Sequence, residues 1–124
     1  MKNNKFTIKE RKALKKKAWT LFAKYIRERD SNICITCGRS KSDGYVMNAG
    51  HFIHNRLDFD EKNIHCQCFV CNKIKKGNMK IFCIRMVEWY GLDYVKKLLE
   101  CEKEKPRLES GDFYLNIIDK YTRK

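Results

Sequence analysis

The sequence is short of chain-breaking residues and contains no long apolar run. A single proline, Pro106, and six glycines occur among 124 residues. No apolar stretch approaches the roughly 20 residues that a transmembrane helix needs, and the N-terminus lacks the apolar segment of a signal peptide. Together with the chain length, these absences predict one domain that does not span a membrane and that stays in the cytoplasm.

Acidic residues are scarce in comparison with basic ones. The chain has 15 Asp and Glu residues against 28 Lys and Arg residues, which gives a formal net charge of +13. This excess predicts a polyanionic partner, with nucleic acid as the first candidate and an anionic membrane surface as a weaker second. The side chains that we expect near phosphates are Lys15, Lys16, Lys17, His54, Arg56, Lys73, Lys75, Lys76 and Lys80. The alternative is that these basic residues form an ordinary solvated helix face, for which a run of lysines is also typical.

Seven cysteines are present, and four of them form two C-x-x-C pairs, Cys34 with Cys37 and Cys68 with Cys71. Disulfides are rare in the cytoplasm, so paired cysteines there indicate metal binding. Four thiolates suit tetrahedral zinc, and each pair can present two of them from one tight turn. Four unrelated buried thiols are the alternative. Cys66 lies two residues before Cys68, but Cys68 keeps the C-x-x-C spacing, so we expect Cys68 to be the ligand.

Apolar periodicity and turn residues predict a mixed α+β domain. The expected elements, in chain order, are a basic helix over 9–29, short strands over 45–47, 49–53 and 63–67, a helix opened by 68–71, and helices over 79–90, 92–100 and 113–121. We group them into three parts of one compact domain: a basic N-terminal helix (1–30), a zinc-bearing core (31–80) and C-terminal helices (81–124). A zinc knuckle, a hairpin and a helix that carries the second cysteine pair together predict a treble-clef fold. The residues that the apolar stripes place in the core include Trp19, Trp89, Leu98 and Leu99.

A histidine lies between the two cysteine pairs, on a predicted strand. His51 follows Gly50 directly. A neutral imidazole can take a proton from water near neutral pH, and a divalent metal that holds a phosphate nearby makes such water a competent nucleophile. His51 is therefore a candidate catalytic base, against the alternative of a structural or idle histidine.

Three further polar residues accompany His51. Asn72 directly follows the second cysteine pair. Its amide oxygen is a hard ligand suited to Mg²⁺, although an asparagine at the start of a helix can also bond its own backbone. Asn63 is expected to tie down the polar loop over 54–62. His65, on the last predicted strand, can be a metal ligand, a phosphate contact or a core residue.

The strings around these residues resemble a known family. The ordered cysteines, histidine and asparagines resemble the HNH, or ββα-metal, nuclease superfamily. The strings that are similar to the NinG/Rap family of phage recombination endonucleases are YIRERD at 25–30, AGHFI at 49–53, NIHCQCFVCN at 63–72, GN at 77–78 and WYG at 89–91. The resemblance covers roughly residues 15–100 and places the HNH-like zinc and nuclease core within 31–80.

The resemblance implies an activity and a role for each site residue. The activity is structure-selective, metal-dependent cleavage of branched DNA, such as Holliday junctions and D-loops, in the host cell cytoplasm. The implied cofactors are structural Zn²⁺ and catalytic Mg²⁺ or Mn²⁺. His51 takes the place of the general base, Asn63 that of the loop-shaping asparagine, and Asn72 that of the residue that binds the catalytic metal. A homodimer would bring two active sites to one junction.

One position departs from the family pattern. Many HNH nucleases carry a metal-binding Asp immediately before the base histidine, where this sequence has Gly50. The metal would then need another ligand, for which Asn48, His65 and Asp58 are the candidates. Two other functions stay open. One is a non-catalytic zinc module that binds nucleic acid, and the other is an HNH relic that binds junctions without a second metal.

Overall fold

The computed structural model describes residues 5–54, 57–106 and 108–123. Its elements, in chain order, are α1 (Ile8–Arg29), a 3₁₀ turn (Lys41–Asp43), β1 (Met47–His51), β2 (Ile64–Cys68), a π-helical turn (Val70–Ile74), α2 (Met79–Tyr90), α3 (Leu92–Cys101) and α4 (Gly111–Thr122). Helices with a small two-stranded sheet confirm the predicted α+β class. The finer assignment, a zinc-stapled treble clef with a ββα-metal site, stays a prediction. No helix among the described residues is both long and apolar enough to cross a membrane.

Contacts divide the chain into two compact units. The first consists of Met1–Tyr25 with Leu108–Lys124, and the second is Ile26–Arg107. This division differs from the three consecutive parts expected from the sequence, because the two ends of the chain share one unit. Within the first unit, the ring of Tyr121 in α4 meets the ring of Phe22 in α1 edge-on, with 5.0 Å between centroids.

α1 begins at a capping box and carries an apolar stripe. The backbone N–H of Glu10 donates to the Thr7 hydroxyl at 3.0 Å, and the Thr7 N–H donates to the Glu10 carboxylate at 2.8 Å. This reciprocal pair satisfies amides that have no partner within the first helical turn. Phe22 and Ile26 are four residues apart and both are buried, as helical periodicity requires. The predicted basic helix is thus confirmed over Ile8–Arg29.

β1 and β2 pair antiparallel, with Gly50 opposite His65. All five residues of β2 are buried. The strand has neighbours on both edges, because the first cysteine turn also bonds to it. The N–H of Ile35 in that turn donates to the Cys66 carbonyl at 2.9 Å. Of the segments predicted to be extended before the loop, 45–47 and 49–53, the structure forms one strand over Met47–His51, and residues 45–46 and 52–53 lie outside it.

A close approach between the strands explains why residue 50 is a glycine. A Cβ atom on Gly50 would lie 2.1 Å from Oε1 of Gln67, whose side chain is fully buried. Nε2 of Gln67 donates to the Gly77 carbonyl at 2.8 Å and to the Thr36 hydroxyl at 3.2 Å. The amide group of Gln67 therefore fills the space that a side chain at position 50 would occupy.

The apolar core of the second unit forms where the end of the hairpin meets α2 and α3. Its buried members are Ile35, Phe52, Ile53, Phe82, Met86, Val95 and Leu98. Leu98 is buried as predicted, but the predicted burial of Leu99 is wrong. Leu99 is 41% exposed, because adjacent residues of a helix point about 100° apart.

The two tryptophans do not belong to the fully buried core. Trp89 is 52% exposed, so its predicted core position is wrong. Part of the indole is nevertheless packed, because its ring centroid lies 5.0 Å from that of His65 in a T-shaped contact. Trp19, in the first unit, is half-buried, with its ring 6.0 Å from that of Phe22.

The helix predicted to begin within the second cysteine pair is only one wide turn. The π-helical turn closes with a hydrogen bond from the Lys75 N–H to the Val70 carbonyl at 2.8 Å. Lys76, Gly77 and Asn78 then all have positive φ angles, which a regular right-handed helix cannot contain. α2 therefore starts afresh after Asn78.

Candidate functional site

The two cysteine pairs converge on one point. The Sγ atoms of Cys34, Cys37, Cys68 and Cys71 all lie within 4.8 Å of one another, and those of Cys37 and Cys68 are 3.6 Å apart. A tetrahedral zinc ion with Zn–S distances of about 2.3 Å holds its sulfurs about 3.8 Å apart. The donor set and its spacing therefore fit zinc. The cluster contains Cys68 and not Cys66, as the C-x-x-C spacing predicts.

Both cysteine turns have the same hydrogen bond. The N–H of Cys37 donates to the sulfur of Cys34, and the N–H of Cys71 donates to the sulfur of Cys68, each at 3.4 Å. In addition, Nδ2 of Asn78 donates to the Cys71 sulfur at 3.6 Å. Donors aimed at sulfur stabilise the thiolate form, which is the form that binds metal.

The thiols also influence one another's ionisation. Burial raises the pKa of Cys34, but the Thr36 hydroxyl and backbone N–H groups lower it by more, to about 6. Burial and the neighbouring sulfurs, Cys34 among them, raise the pKa of Cys37 to about 12. Neighbouring thiolates repel, so all four can be ionised together only beside a cation. This charge requirement is a second feature that fits a divalent metal.

His51 lies at the end of β1, where the chain enters the loop that joins β1 to β2. Its side chain is 24% exposed, and its Nε2 lies 3.4 Å from Oδ1 of Asp58. The ring of His54 stacks on the ring of His51 with 5.5 Å between centroids. The imidazole is thus held in place and still reaches solvent, as a group that exchanges protons with water must.

Asn63 is fully buried and ties down the loop that follows His51. Its Oδ1 accepts a hydrogen bond from the Ile53 N–H at 2.9 Å. Its Nδ2 donates to the carbonyls of Ile53 and Leu57 at 3.0 and 3.1 Å. These contacts confirm the loop-tying role predicted for Asn63, while a catalytic role for it stays a prediction.

His65 is a buried residue with partners on both ring nitrogens. Nε2 lies 2.9 Å from the Lys62 carbonyl and 3.2 Å from the Tyr90 hydroxyl. Nδ1 lies 3.1 Å from Nη2 of Arg29. Because a carbonyl only accepts, Nε2–H donates to Lys62 and Nδ1 accepts from Arg29. Of the three roles that the sequence left open for His65, the geometry supports the core residue.

Asp30 completes this buried polar network. Its Oδ2 accepts a hydrogen bond from the Cys66 N–H at 2.9 Å and lies 3.6 Å from Nδ1 of His65. Burial raises the pKa of Asp30, but the nearby His65 ring and the hydrogen bonds from Arg29 and the Cys66 N–H lower it by more, to about 2. In the sequence Asp30 marks only the end of a helix and the last residue of the string at 25–30, because the strand residues that surround it are more than 30 positions away.

The remaining metal-ligand candidates lie in different surroundings. Asn72 is half-buried in the π-helical turn beside Cys71. Asn48 faces Gln67 across the hairpin. Among the described residues, Nδ2 of Asn48 and Oε1 of Gln67 are buried atoms without a hydrogen-bond partner. Within the described ranges, the only group of three or more His, Cys, Asp or Glu ligand atoms close enough to hold an ion is the four-cysteine cluster.

The predicted phosphate contacts are mostly exposed. In the second unit the basic cluster, defined as Lys73, Lys75, Lys76 and Lys80, is exposed, and so is His54. In the first unit Lys15, Lys16 and Lys17 are exposed on α1. Arg56 lies outside the described residues. Exposure makes these side chains available to phosphates, but it does not by itself distinguish a binding surface from a solvated one.

Comparison with known proteins agrees with the family resemblance. A family model described as "Bacteriophage Lambda NinG protein" matches residues 1–124. Protein ninG of Salmonella phage P22 is 36% identical over 103 residues, covering 79% of this chain and 50% of that protein. The ninG proteins of Escherichia phage 933W and Escherichia phage lambda are 35% and 34% identical over the same coverage.

The chain spans about half the length of these curated relatives. No solved structure matches it. The family model, by contrast, extends over the whole chain, including both cysteine pairs and His51. The chain therefore belongs to the NinG family of phage lambda-type proteins.

Proposed function

We propose that this chain is an HNH-type, metal-dependent DNA endonuclease that hydrolyses phosphodiester bonds in branched recombination intermediates, such as Holliday junctions and D-loops. The observation that carries the proposal is the setting of His51. It is a histidine at the end of a hairpin, partly exposed, beside a carboxylate, on a scaffold whose four cysteines fit zinc. The resemblance of the strings at 49–53 and 63–72 to HNH nucleases points to the same chemistry.

In this proposal His51 is the general base. Its imidazole takes a proton from the water that attacks the scissile phosphate. Asn63 supports it indirectly, because its hydrogen bonds to Ile53 and Leu57 hold the loop that faces the histidine. The four cysteines would hold a structural zinc ion, which would tie the first cysteine turn to the end of β2 and the π-helical turn.

Asn72 offers an amide oxygen for Mg²⁺ or Mn²⁺, which when bound would neutralise phosphate charge and stabilise the leaving oxygen. The residues present fit such an ion only in part. The position that is Asp in many HNH nucleases is Gly50, and Gln67 fills its side-chain space. Magnesium commonly keeps several waters and completes its shell with substrate phosphate, so the DNA would supply ligands that the described chain lacks.

The basic cluster would neutralise phosphates next to this site. Its four lysines are exposed and follow Asn72 within eight positions. Each lysine that contacts a phosphate releases a counterion, so binding should weaken steeply as salt rises. With a net charge of +13, the chain as a whole would also attract DNA at long range.

The direct test is cleavage of matched four-way, flap and linear DNA by His51→Ala, with Mg²⁺ or with EDTA. Cleavage of the branched substrates should collapse by about 10²-fold or more, while zinc content, circular dichroism and junction binding are retained. Asp93→Ala, an exposed change in α3, is the control. It should keep both junction binding and cleavage at the wild-type level. Cleavage by His51→Ala near the wild-type rate would refute the assignment.

A second candidate function is a non-catalytic, zinc-dependent module that binds nucleic acid. The four-cysteine cluster and the charge favour it equally, because neither depends on His51 or Asn72. The filled space at Gly50 favours a related case, an HNH relic that binds junctions without the second metal. DNA nicking that requires Mg²⁺ would exclude both of these non-catalytic functions. A calorimetric titration of the zinc-loaded protein with junction DNA that finds no second metal ion would support them.

A further inference from the structure

We infer that Asp58 is the positioning residue of His51: it accepts the Nε2–H of the imidazole and so leaves Nδ1 as the atom that removes the proton from water. This inference rests on the proposed endonuclease function for its catalytic consequence. Its structural content, the identity of the protonated nitrogen, stands on geometry alone. The sequence left Asp58 open as one of three metal-ligand candidates.

The imidazole of His51 and the carboxylate of Asp58 lie close together. Nε2 of His51 lies 3.4 Å from Oδ1 of Asp58. An ionised carboxylate can only accept a hydrogen bond, so the nitrogen that faces it must carry the proton. A neutral imidazole has one N–H, and Nδ1 therefore keeps the lone pair. The contact thus selects one of two tautomers, and with it the nitrogen that can act as a base.

The residue before Asp58 has an unusual backbone conformation. Leu57 has a left-handed φ of 57°, which residues with a side chain rarely adopt. The Leu57 carbonyl accepts from Nδ2 of Asn63 at 3.1 Å, and the same amide group bonds both backbone groups of Ile53. Asn63 therefore fixes the chain at Ile53, two residues after His51, and at Leu57, one residue before Asp58.

His51 also has a stacked partner, His54. The ring of His54 lies nearly parallel to that of His51, at an interplanar angle of 25°. A ring on one face and a carboxylate at one edge leave His51 little freedom to rotate about its side-chain bonds. A catalytic group held in this way needs less reorganisation when the substrate arrives.

The geometry also separates this role from metal binding. His51, His54 and Asp58 are all capable ligands, yet within the described ranges the only group of three or more such atoms close enough to hold an ion is the four-cysteine cluster. Asp58 has the imidazole of His51 within ion-pair distance instead. A carboxylate that orients a histidine through its second nitrogen is a general device for fixing tautomer and direction.

The experiment uses the full, zinc-loaded chain with ¹⁵N-labelled histidine. Only three histidines are present, so two-bond ¹H–¹⁵N correlations resolve each ring and report which nitrogen is protonated. We expect His51 to be an Nε2–H tautomer in the wild type and a mixture in Asp58→Ala. Asp58→Asn, which keeps an oxygen acceptor and most of the shape, should restore much of the wild-type pattern. Asp93→Ala, an exposed change in α3, is the matched control and should leave His51 unchanged.

Cleavage of a four-way junction provides the second measurement. Asp58→Ala should lower kcat by about tenfold or more with little change in the Kd for the junction, and Asp58→Asn should recover part of it. An unchanged His51 tautomer in Asp58→Ala overturns the inference. So does activity that returns to the wild-type level at high Mg²⁺ with the tautomer unaltered, since Asp58 would then be a metal ligand. If the wild type cuts no DNA, the proposed function fails, while the tautomer still decides the placement of Asp58.

Discussion

Substituting alanine for Gly50 should destabilise the fold for a reason that the backbone does not reveal. Gly50 is not among the glycines with positive φ, so alanine is conformationally allowed there. Its methyl group, however, would lie 2.1 Å from Oε1 of Gln67. Gln67 is fully buried and can move away only by giving up its hydrogen bonds to Gly77 and Thr36.

The cost follows from those two bonds. Each contributes about 1 kcal/mol, and a buried Gly77 carbonyl without a donor costs a further 1–3 kcal/mol or so. Overpacking of a well-filled site costs about 1–3 kcal/mol in general. We therefore expect Gly50→Ala to lower the free energy of unfolding by about 2–4 kcal/mol. The same overlap would affect Gly50→Asp, so installing the carboxylate that many HNH nucleases carry at this position should damage the hairpin before it could bind a metal.

The assay is urea unfolding of the zinc-loaded protein at fixed free zinc, because metal binding contributes to apparent stability. Gln67→Ala provides the decisive comparison. In that background the extra methyl group has room, and the added cost of Gly50→Ala should fall below about 0.5 kcal/mol. A cost that is small in the wild type, or equally large in both backgrounds, would contradict the steric explanation.

Three other substitutions probe the cysteine cluster, the buried carboxylate and the basic cluster. Cys37→Ser should remove the bound zinc and unfold the second unit, whereas Cys83→Ser should retain one zinc per chain, as measured by metal content and circular dichroism. Asp30→Asn should lower the unfolding free energy by about 2 kcal/mol at pH 7, since its pKa falls from 3.8 to about 2. Because this folded-state pKa is depressed, the contribution of Asp30 is complete above its unfolded pKa and is lost as the pH falls towards 2; a wild-type stability advantage that does not shrink there would contradict it. Replacing the basic cluster with glutamine should reduce the slope of log affinity against log salt by about one for each lysine that had neutralised a phosphate; an unchanged slope would place the DNA elsewhere.

Several features could be predicted from the sequence because they are local. The periodicity of α1 and its capping residues lie within one stretch of chain, and the helix was predicted nearly to the residue. Each C-x-x-C pair predicts a tight turn. In both turns the N–H of the second cysteine donates to the sulfur of the first. Asn63 was expected to tie its loop, since the partners of its amide group lie within ten positions.

Where prediction failed, the deciding contact was distant or the pattern ambiguous. Trp89 fits an apolar stripe, but α2 turns its indole to the edge of the core, where it is 52% exposed. Leu98 and Leu99 are equally apolar, and only the packing of α3 decides which one is buried. The helix expected around Asn72 is cut to one turn by three consecutive residues with positive φ angles.

The amino-acid sequence by itself determined the zinc-type ligand set, the helices α1 to α4, the basic charge and the position of His51 between the two cysteine pairs. These properties depend on residue type and short spacing, which the chain carries whatever its fold. Only the tertiary structure decided that Gln67 fills the space beside Gly50, that His65 is enclosed by Arg29 and Asp30, and that Asp58 faces His51. Such contacts depend on the register of the hairpin and the path of the loop, which arise from packing of the whole unit and not from any local pattern.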